Sequence, residues 1–375
     1  MKIAFVYDVI YPFVKGGVEI RIHELAIRLG ARGHDVHIIG MKYWDGPDSI
    51  ETDGITLHGI CPPQQLYADG RRALFEALYF SCHLLPFLMR EEFDIIDCQQ
   101  FPYIPCFPVK LASVMKKKPF IITWHEVWGD YWYDYLDWLG AFGKVTERLV
   151  AGLTPYMVSV SGTTAKKLRH LGAGKEVRII PNGIDPARVR AVPPGLVSSD
   201  LIFVGRLIKE KHVDVLVRAF ARVLKESPDY ILLILGNGPE RDAISGLVSD
   251  LAIGNRVILK SFVDSHADVI GLMKASHVCV IPSSREGFGI AALEALACGL
   301  PVVTVDHPDN AIVELVKGET GFLSSLLVDD LADTIRAALS VYPAMKTACV
   351  SSAEAYDWER IVDRVEDYYR SLTRA

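Results

Sequence analysis

Short apolar runs, each followed by a loop and then a stretch with helical spacing, recur along the chain and fix its fold class. In the first half the runs are "KIAFVYD", "DVHIIG", "DIIDCQ", "FIITWH" and "YMVSVS". Strands that alternate with helices imply a parallel sheet covered on both faces, since each crossover helix lies against the sheet it spans. The rhythm halts after "VRIIPNGID", where the Pro-, Gly- and Ser-rich "ARVRAVPPGLVSSD" intervenes, and it restarts at "LIFVGRL". "YILLILGNG", "RVILKSF", "VCVIPSS" and "PVVTVD" then repeat the pattern. The expectation is an α/β chain of two Rossmann-like, doubly wound parallel-sheet domains with a cleft between them, divided near residues 193–199. The length of 375 residues, 50% of them hydrophobic, is more than one compact core holds. Ligands of such sheets bind at the carboxyl ends of the strands, so the chemistry belongs on strand-to-helix loops.

Forty basic residues against 46 acidic ones give a formal net charge of -6, which invites neither nucleic acid nor an anionic surface as a whole-molecule partner. Any anion site must be local. The seven cysteines form no C-x-x-C pair and mostly sit in apolar runs, so they read as reduced core residues of a cytoplasmic protein. "MKIAFVYDVIYPF" meets Asp8 and then a proline too early for a signal peptide or a membrane span. "ALFEALYFSCHLLPFLM" (73–89) is the most membrane-like stretch, but it is short for a span and carries Glu76, His83 and Pro86, so a core helix is expected there. No D-x-D or histidine cluster has metal-ligand spacing, and "DHPD" (306–309) reads as a turn.

Three loops carry the chemical signal. In "YDVIYPFVKGGVEIRIHEL" the G-x-G-x-x-G dinucleotide spacing is missing, but Gly16 and Gly17 before a helix allow close backbone approach to a phosphate; an ordinary flexible turn explains the pair as well. In "FVGRLIKEKHVDVLVRAF" a strand delivers Arg206 to its carboxyl end and Lys211 stands just before a helix, which suits a diphosphate. The alternative is a solvated loop, since Glu210 interrupts the cations. In "VCVIPSSREGFGIAALEALACGLPVV" a strand leads to a glycine-flanked loop and a helix whose first free N–H groups, near Gly289 and Ile290, form an anion site. Glu286 precedes that helix and can point at hydroxyls, while Glu294, further along it, can reach another part of the same ligand. The spacing describes a nucleotide-sugar lying across a helix N-terminus. A favourable charge at a helix start and a surface residue are the other reading of the two glutamates.

At these residues the chain resembles the retaining, nucleotide-sugar-dependent glycosyltransferases of family 4, which have the two-domain GT-B fold. "EGFGIAALEALACGLPVV", "GRLIKEKHVD", "PNGID", "LGNGPE" and the early "GGVE" carry the resemblance across both domains. It implies an acceptor-side domain over 1–195, a donor domain over 196–355, and a last helix, in 356–375, that packs back on the first. Position by position, it implies that Glu286 holds donor-sugar hydroxyls near the reacting carbon and that Glu294 holds the ribose. Arg206 and Lys211 would neutralise the diphosphate, with the backbone of Gly289, Ile290, Gly16 and Gly17 completing the cradle. His125 in "FIITWHE" matches a family histidine near the donor sugar, and Phe262 and Val263 fall in the region that contacts the base.

The activity so implied is transfer of a hexose-type sugar, with retention, from a nucleotide-diphosphate-sugar to a glycan, lipid-linked or small-molecule acceptor in glycan biosynthesis. Charge on the leaving diphosphate would be met by Arg206, Lys211 and a helix N-terminus, so no cofactor and no metal is expected. "WHEVWGDYWYDYLDWLGAFGKV" (124–145) interleaves aromatic and acidic residues, which fits a glycan or lipid-linked acceptor, peripheral contact with the inner face of the cell membrane, or a well-packed connector. An epimerase or phosphorylase of the same architecture, and a non-catalytic nucleotide-sugar-binding protein, are the competing readings.

Overall fold

The structure, a computed structural model, describes residues 1–68, 71–72, 74–172, 176–261, 263 and 265–373. It divides into two units, Met1–Asn182 with Trp358–Ala375, and Gly183–Asp357.

The first unit is built on an eight-stranded sheet. Its strands lie in the order Val177–Ile179, Met157–Ser159, Phe120–Trp124, Ile95–Gln99, Lys2–Val6, Asp35–Gly40, Ile55–Gly59 and Ser49–Thr52. Only Ser49–Thr52 runs antiparallel, against Ile55–Gly59. Alternation along the strands decides which helices each side chain meets. Ala4, Val6, Ile96, Ile122 and Trp124 share a core with Phe80, Val109, Val150 and Leu168 of the helices Leu74–Arg90, Cys106–Lys116, Gly140–Ala151 and Gly162–His170. Ile3, Phe5, Ile95 and Ile121 face the other way, onto Ile22, Leu25 and Leu29 of Gly17–Ala31 and Ile361, Val365 and Tyr369 of Trp358–Thr373. That last helix is also fastened by ions: Arg32 donates to Glu359 at 2.9 Å, Asp363 at 2.6 Å and Glu366 at 3.0 Å.

The second unit holds a six-stranded, all-parallel sheet in the order Val257–Lys260, Leu232–Leu235, Ser199–Val204, Ser276–Ile281, Val302–Val305 and Gly321–Ser324. Leu232 to Leu235 are wholly buried, as strands covered on both faces must be. The helix Val213–Val223 and the long helix Val328–Ala353 pack together over this sheet.

The division falls at Asn182, ahead of the Pro-rich break where the sequence places it. Packing explains the shift: Ile184 N donates to Tyr356 O at 2.8 Å, Gly195 N to Gly271 O at 2.7 Å, and Lys274 Nζ to Val192 O at 2.5 Å. The segment "ARVRAVPPG" is thus held by the second unit. Two further differences concern the apolar helix at 74–90. It buries Ala77, Phe80, Leu84 and Leu88 as a core helix should, but Leu74 and Phe75 are 74% and 67% exposed. Six of the free cysteines are buried, whereas Cys82 on this helix is exposed.

Candidate active site

In the second unit the strand Ser199–Val204 ends at Gly205 and Arg206, and the neighbouring strand Leu232–Leu235 runs into "GNG". A methyl at Gly236 would lie 1.9 Å from Gly205 O, so the two loops touch backbone to backbone. Leu207 N donates to Asn237 O at 2.9 Å and Glu240 N to Leu207 O at 3.0 Å, which fixes the turn that carries Arg206. Arg206 itself is exposed.

Lys211 ends a short 3-10 turn, Lys209–Lys211, directly before the helix Val213–Val223. This turn is tied to the loop after Ser276–Ile281 by Ser284 N donating to Glu210 O at 3.0 Å and by the His212 Nε2 to Ser284 Oγ bond of 2.8 Å. The result brings two expected site residues together: Lys211 Nζ donates to Glu286 Oε1, which also accepts from Ser283 Oγ at 3.2 Å. Both side chains are mostly buried, 15% and 18% exposed. The Glu286 backbone is held from the other side, its N–H donating to Asp309 O at 2.9 Å and its carbonyl accepting from Ala311 N at 3.0 Å. Asn310, fully buried between those residues, donates to Thr304 Oγ1 at 2.9 Å and to Val305 O at 2.8 Å. The 306–309 segment is the expected turn, and it also anchors Glu286.

Gly289 begins the helix Ile290–Ala297 with φ +92°, and a methyl there would lie 2.3 Å from Ile312 Cγ1. Only glycine suits that backbone and that space. No side chain caps this N-terminus and no acidic residue stands in its first turn, so its leading N–H groups can take an anion. Glu294, on the second turn, is 14% exposed, and burial pushes its carboxyl up to about 8. His266 Nε2 lies 3.3 Å away, but that imidazole is more than half exposed and solvent screens it. His266 opens the preceding helix, His266–Lys274, so Glu294 stands beside the segment expected to meet a base. Val263 of that segment is half-buried; Phe262 lies outside the described residues.

In the first unit Gly16 is the extended residue that caps the helix Gly17–Ala31. The buried Glu19 folds back beside it, its Oε2 2.6 Å from where a Gly16 methyl would be. A phosphate approaching this N-terminus must therefore displace or share the space with a carboxylate of the same helix. His125 directly follows the strand Phe120–Trp124 and is half-buried. Its backbone N–H donates to Gln100 Oε1 at 2.9 Å, and its Nε2 meets Gln99 Oε1 at 2.8 Å. Burial, aided by the nearby Arg21 cation, lowers its pKa to about 3, so the imidazole is neutral.

The aromatic segment after His125 resolves into two parts. Trp128 packs against Trp132, Tyr135 and Phe101 with ring centroids 4.6, 4.9 and 5.1 Å apart. The buried Glu147 braces this cluster, accepting from Tyr103 Oη and Trp128 N at 2.7 Å and from Gly129 N at 2.9 Å. Trp138 and Phe142, by contrast, are 77% and 68% exposed. Among the described residues no group of three or more His, Cys, Asp or Glu side chains is placed to hold a metal ion.

Residues 198–355 match the family of Glycosyl transferases group 1, and residues 15–188 match Glycosyltransferase Family 4. The chain belongs to the group 1, family 4 glycosyltransferases. Over 99% of this glycosyltransferase and 98% of the relative, it is 26% identical to an uncharacterized glycosyltransferase of Methanocaldococcus jannaschii. It is 25% identical to the phosphatidylinositol N-acetylglucosaminyltransferase gpi3 subunit of Schizosaccharomyces pombe, covering 98% of this chain and 80% of the other. The sucrose-phosphate synthase of Thermosynechococcus elongatus superposes with a TM-score of 0.83 at 22% identity, over 99% and 98% of the two chains. The Anabaena HepE protein in complex with UDP-glucose does so with a TM-score of 0.75 at 18% identity, over 99% and 100%. The two parallel-sheet α/β domains are those of the GT-B fold.

Several residues around the candidate site of this glycosyltransferase escaped the sequence reading. Asp97, Gln99 and Thr123 are buried polar residues at alternate positions of two central strands. Polar residues two apart in an otherwise apolar parallel strand are the signal that could have found them, since both faces of such a strand are covered. Arg21 is buried and donates to Ile180 O at 3.0 Å, Pro181 O at 2.5 Å and Asn182 Oδ1 at 3.1 Å, fixing the start of "PNGID". Asn310 and Glu147 carry no comparable pattern; their roles arise only from packing.

Proposed function

We propose that this glycosyltransferase transfers a hexose-type sugar, with retention of configuration, from a nucleotide-diphosphate-sugar to an acceptor hydroxyl, with no required metal or other cofactor. The observation that carries the reading is the Glu286 loop: a carboxylate paired with Lys211 stands directly before an uncapped helix N-terminus at Gly289. Glu286 then accepts from donor-sugar hydroxyls, Ile290 and the following N–H groups take phosphate oxygens, and Glu294 takes the ribose. Arg206 and Lys211 offset the charge that grows on the diphosphate as the sugar C–O bond breaks. The electron pair leaves with the phosphate, the acceptor oxygen bonds on the same face, and its proton passes to the leaving phosphate oxygen. His125 contacts the sugar, Gly16 and Gly17 offer further backbone contact to phosphate, and Phe262 and Val263 lie toward the base. A UDP-glucose complex of a protein of this fold supports a nucleotide-sugar as donor.

The acceptor side is read from the first unit, as a lipid-linked glycan approached at the surface of an anionic membrane. Leu111, Val114 and Met115 on one helix and Phe142, Val145 and Leu149 on another are all at least 47% exposed. On Leu74–Arg90, Cys106–Lys116 and Gly140–Ala151 both acidic residues, Glu76 and Glu147, are buried, while Arg90 and Arg148 face solvent. Apolar residues with outward basic ones suit peripheral contact with an anionic bilayer, such as the inner face of a cell membrane. Among the described residues no helix is long and apolar enough to cross a membrane.

Titration calorimetry with UDP-, GDP- and ADP-sugars in the presence of a chelator tests the donor side, and the anomeric configuration of the product, read by NMR, tests retention. Tight chelator-resistant binding of one donor class and an unchanged anomer are expected. Binding of none, or binding only after divalent metal is restored, overturns the donor reading.

A further inference from the structure

His125 stands at the end of a hydrogen-bonded chain that starts on the last helix. Asp97, wholly enclosed in the sheet, accepts from Tyr369 Oη at Oδ2 and from Thr123 Oγ1 at 2.7 Å at Oδ1. Its Oδ1 also accepts from Gln99 Nε2 at 3.2 Å. The strand alternation explains the gathering: Asp97, Gln99 and Thr123 are in phase with Ile95 and Ile121, which face the helix carrying Tyr369.

The donor and acceptor inventory gives this chain a direction. A carboxylate only accepts, so Gln99 must turn its NH2 group toward Asp97 and its Oε1 toward His125. An amide oxygen only accepts as well, so the hydrogen of the neutral imidazole sits on Nε2, 2.8 Å from Gln99 Oε1. The backbone N–H of His125 is committed to Gln100. Nδ1 is left as a lone-pair acceptor with no hydrogen-bond partner among the described residues. Reversing Gln99 would set its oxygen against a carboxylate oxygen, which the Asp97 charge forbids. Burial pushes the Asp97 carboxyl up to about 6, held there against a further rise by the Tyr369 and Thr123 hydroxyls and the Arg21 cation, so it is ionised at pH 7.5.

We infer that Tyr369, Asp97 and Gln99 are positioning residues that hold His125 as the Nε2–H tautomer, so that its Nδ1 accepts a hydrogen bond from a hydroxyl of the bound sugar. The inference rests on the proposed function for the identity of that hydroxyl, but the tautomer is a property of the free protein. The last helix thereby contributes to the site through Tyr369 although it supplies no ligand contact of its own.

Long-range proton–nitrogen NMR of the imidazoles in the full-length protein, at pH 7.5 and without ligand, tests the chain, with His125→Gln assigning the signal. The expected spectrum has the His125 hydrogen on Nε2 alone. Asp97→Asn presents an NH2 group in place of one carboxylate oxygen, lets Gln99 turn over, and should move the hydrogen wholly or partly to Nδ1. Tyr369→Phe, a milder change that keeps the ring packed, covers the case in which Asp97→Asn does not fold, and should give a mixture of tautomers. With a donor found to turn over, kcat/KM should fall about tenfold to a hundredfold in Asp97→Asn, and that fall should vanish in the His125→Gln background. A hydrogen on Nδ1 in the unmodified protein, or an unmoved tautomer in the folded variants, overturns the inference whether or not any donor is found. Absence of turnover with every nucleotide-sugar instead overturns the functional reading and leaves the tautomer result standing.

Discussion

Lys211 and Glu286, from two loops 75 positions apart, form an ion pair to which Ser283 adds a hydrogen bond at 3.2 Å. Each serves as the other's counterion in the free protein, and in the function proposed above each also meets a different part of a sugar diphosphate. On that proposal, donor binding would replace one partner with another without leaving either charge buried alone.

Removing the carboxylate should therefore hurt catalysis more than folding. Glu286→Ala is expected to lower kcat by about a hundredfold or more, the size of a lost transition-state contact, with circular dichroism unchanged. Lys211→Ala should raise the donor KM and lower kcat together. Thermal melts of the two single variants and the double variant close a cycle in which the losses are less than additive, by about 0.5–1 kcal/mol. Additive losses would mean that the pair is not formed in solution.

Gly289 is a position where conformation and space agree. Its φ of +92° and the Ile312 side chain 2.3 Å from a hypothetical methyl leave no room for alanine. Gly289→Ala should cost about 1–3 kcal/mol of stability, seen as a lower Tm, and should weaken donor binding by tilting the helix start. Unchanged calorimetric affinity for the donor would separate Gly289 from the phosphate site.

Membrane contact makes a separable prediction. Flotation with vesicles containing phosphatidylglycerol should carry the protein upward, and neutral phosphatidylcholine vesicles should do so far less. Leu111→Asp and Phe142→Asp, at exposed positions, should abolish flotation without lowering Tm, whereas Arg148→Ala should weaken it about fivefold, from about 1 kcal/mol per basic residue. Equal flotation of all variants would show that another surface, or none, is used.

Most strands of both parallel sheets were legible as short apolar runs, because a buried parallel strand leaves little choice of residue, whereas their order in the sheet was not. Short elements escaped that reading. Ser49–Thr52 and Ile55–Gly59 flank Asp53 and Gly54, both at positive φ, and this Asp-Gly hairpin signal was legible. Gly321–Ser324 has too few residues to show a period. For the site, Glu286, Lys211 and Gly289 could be named because they sit in one loop and its neighbour. The partners Asn310, Tyr369 and Glu147 could not, since each reaches its contact through packing between segments far apart in the chain. The Pro-rich break misled for the same reason: composition marks an irregular segment, but hydrogen bonds to Gly271 and Tyr356 decide which unit holds it.

The Glu294 carboxyl supplies a pH-dependent test. Burial raises it from the ordinary value of 4.5 to about 8 in the folded chain. A folded-state pKa above the unfolded one means that the neutral form stabilises the fold: the contribution is complete below about 4.5 and is lost as pH rises through about 8. Glu294→Gln carries a neutral side chain at every pH. The Tm of this variant minus that of the unmodified protein should therefore grow between pH 5 and pH 8 and level off above that range, read by scanning fluorimetry without ligand. The same variant should bind the donor more weakly above pH 8, where it lacks the carboxylate proposed to accept from the ribose hydroxyls. Parallel Tm curves from pH 5 to pH 9 would mean that Glu294 is solvated and ionised throughout, and its reading as a buried carboxyl would have to be given up.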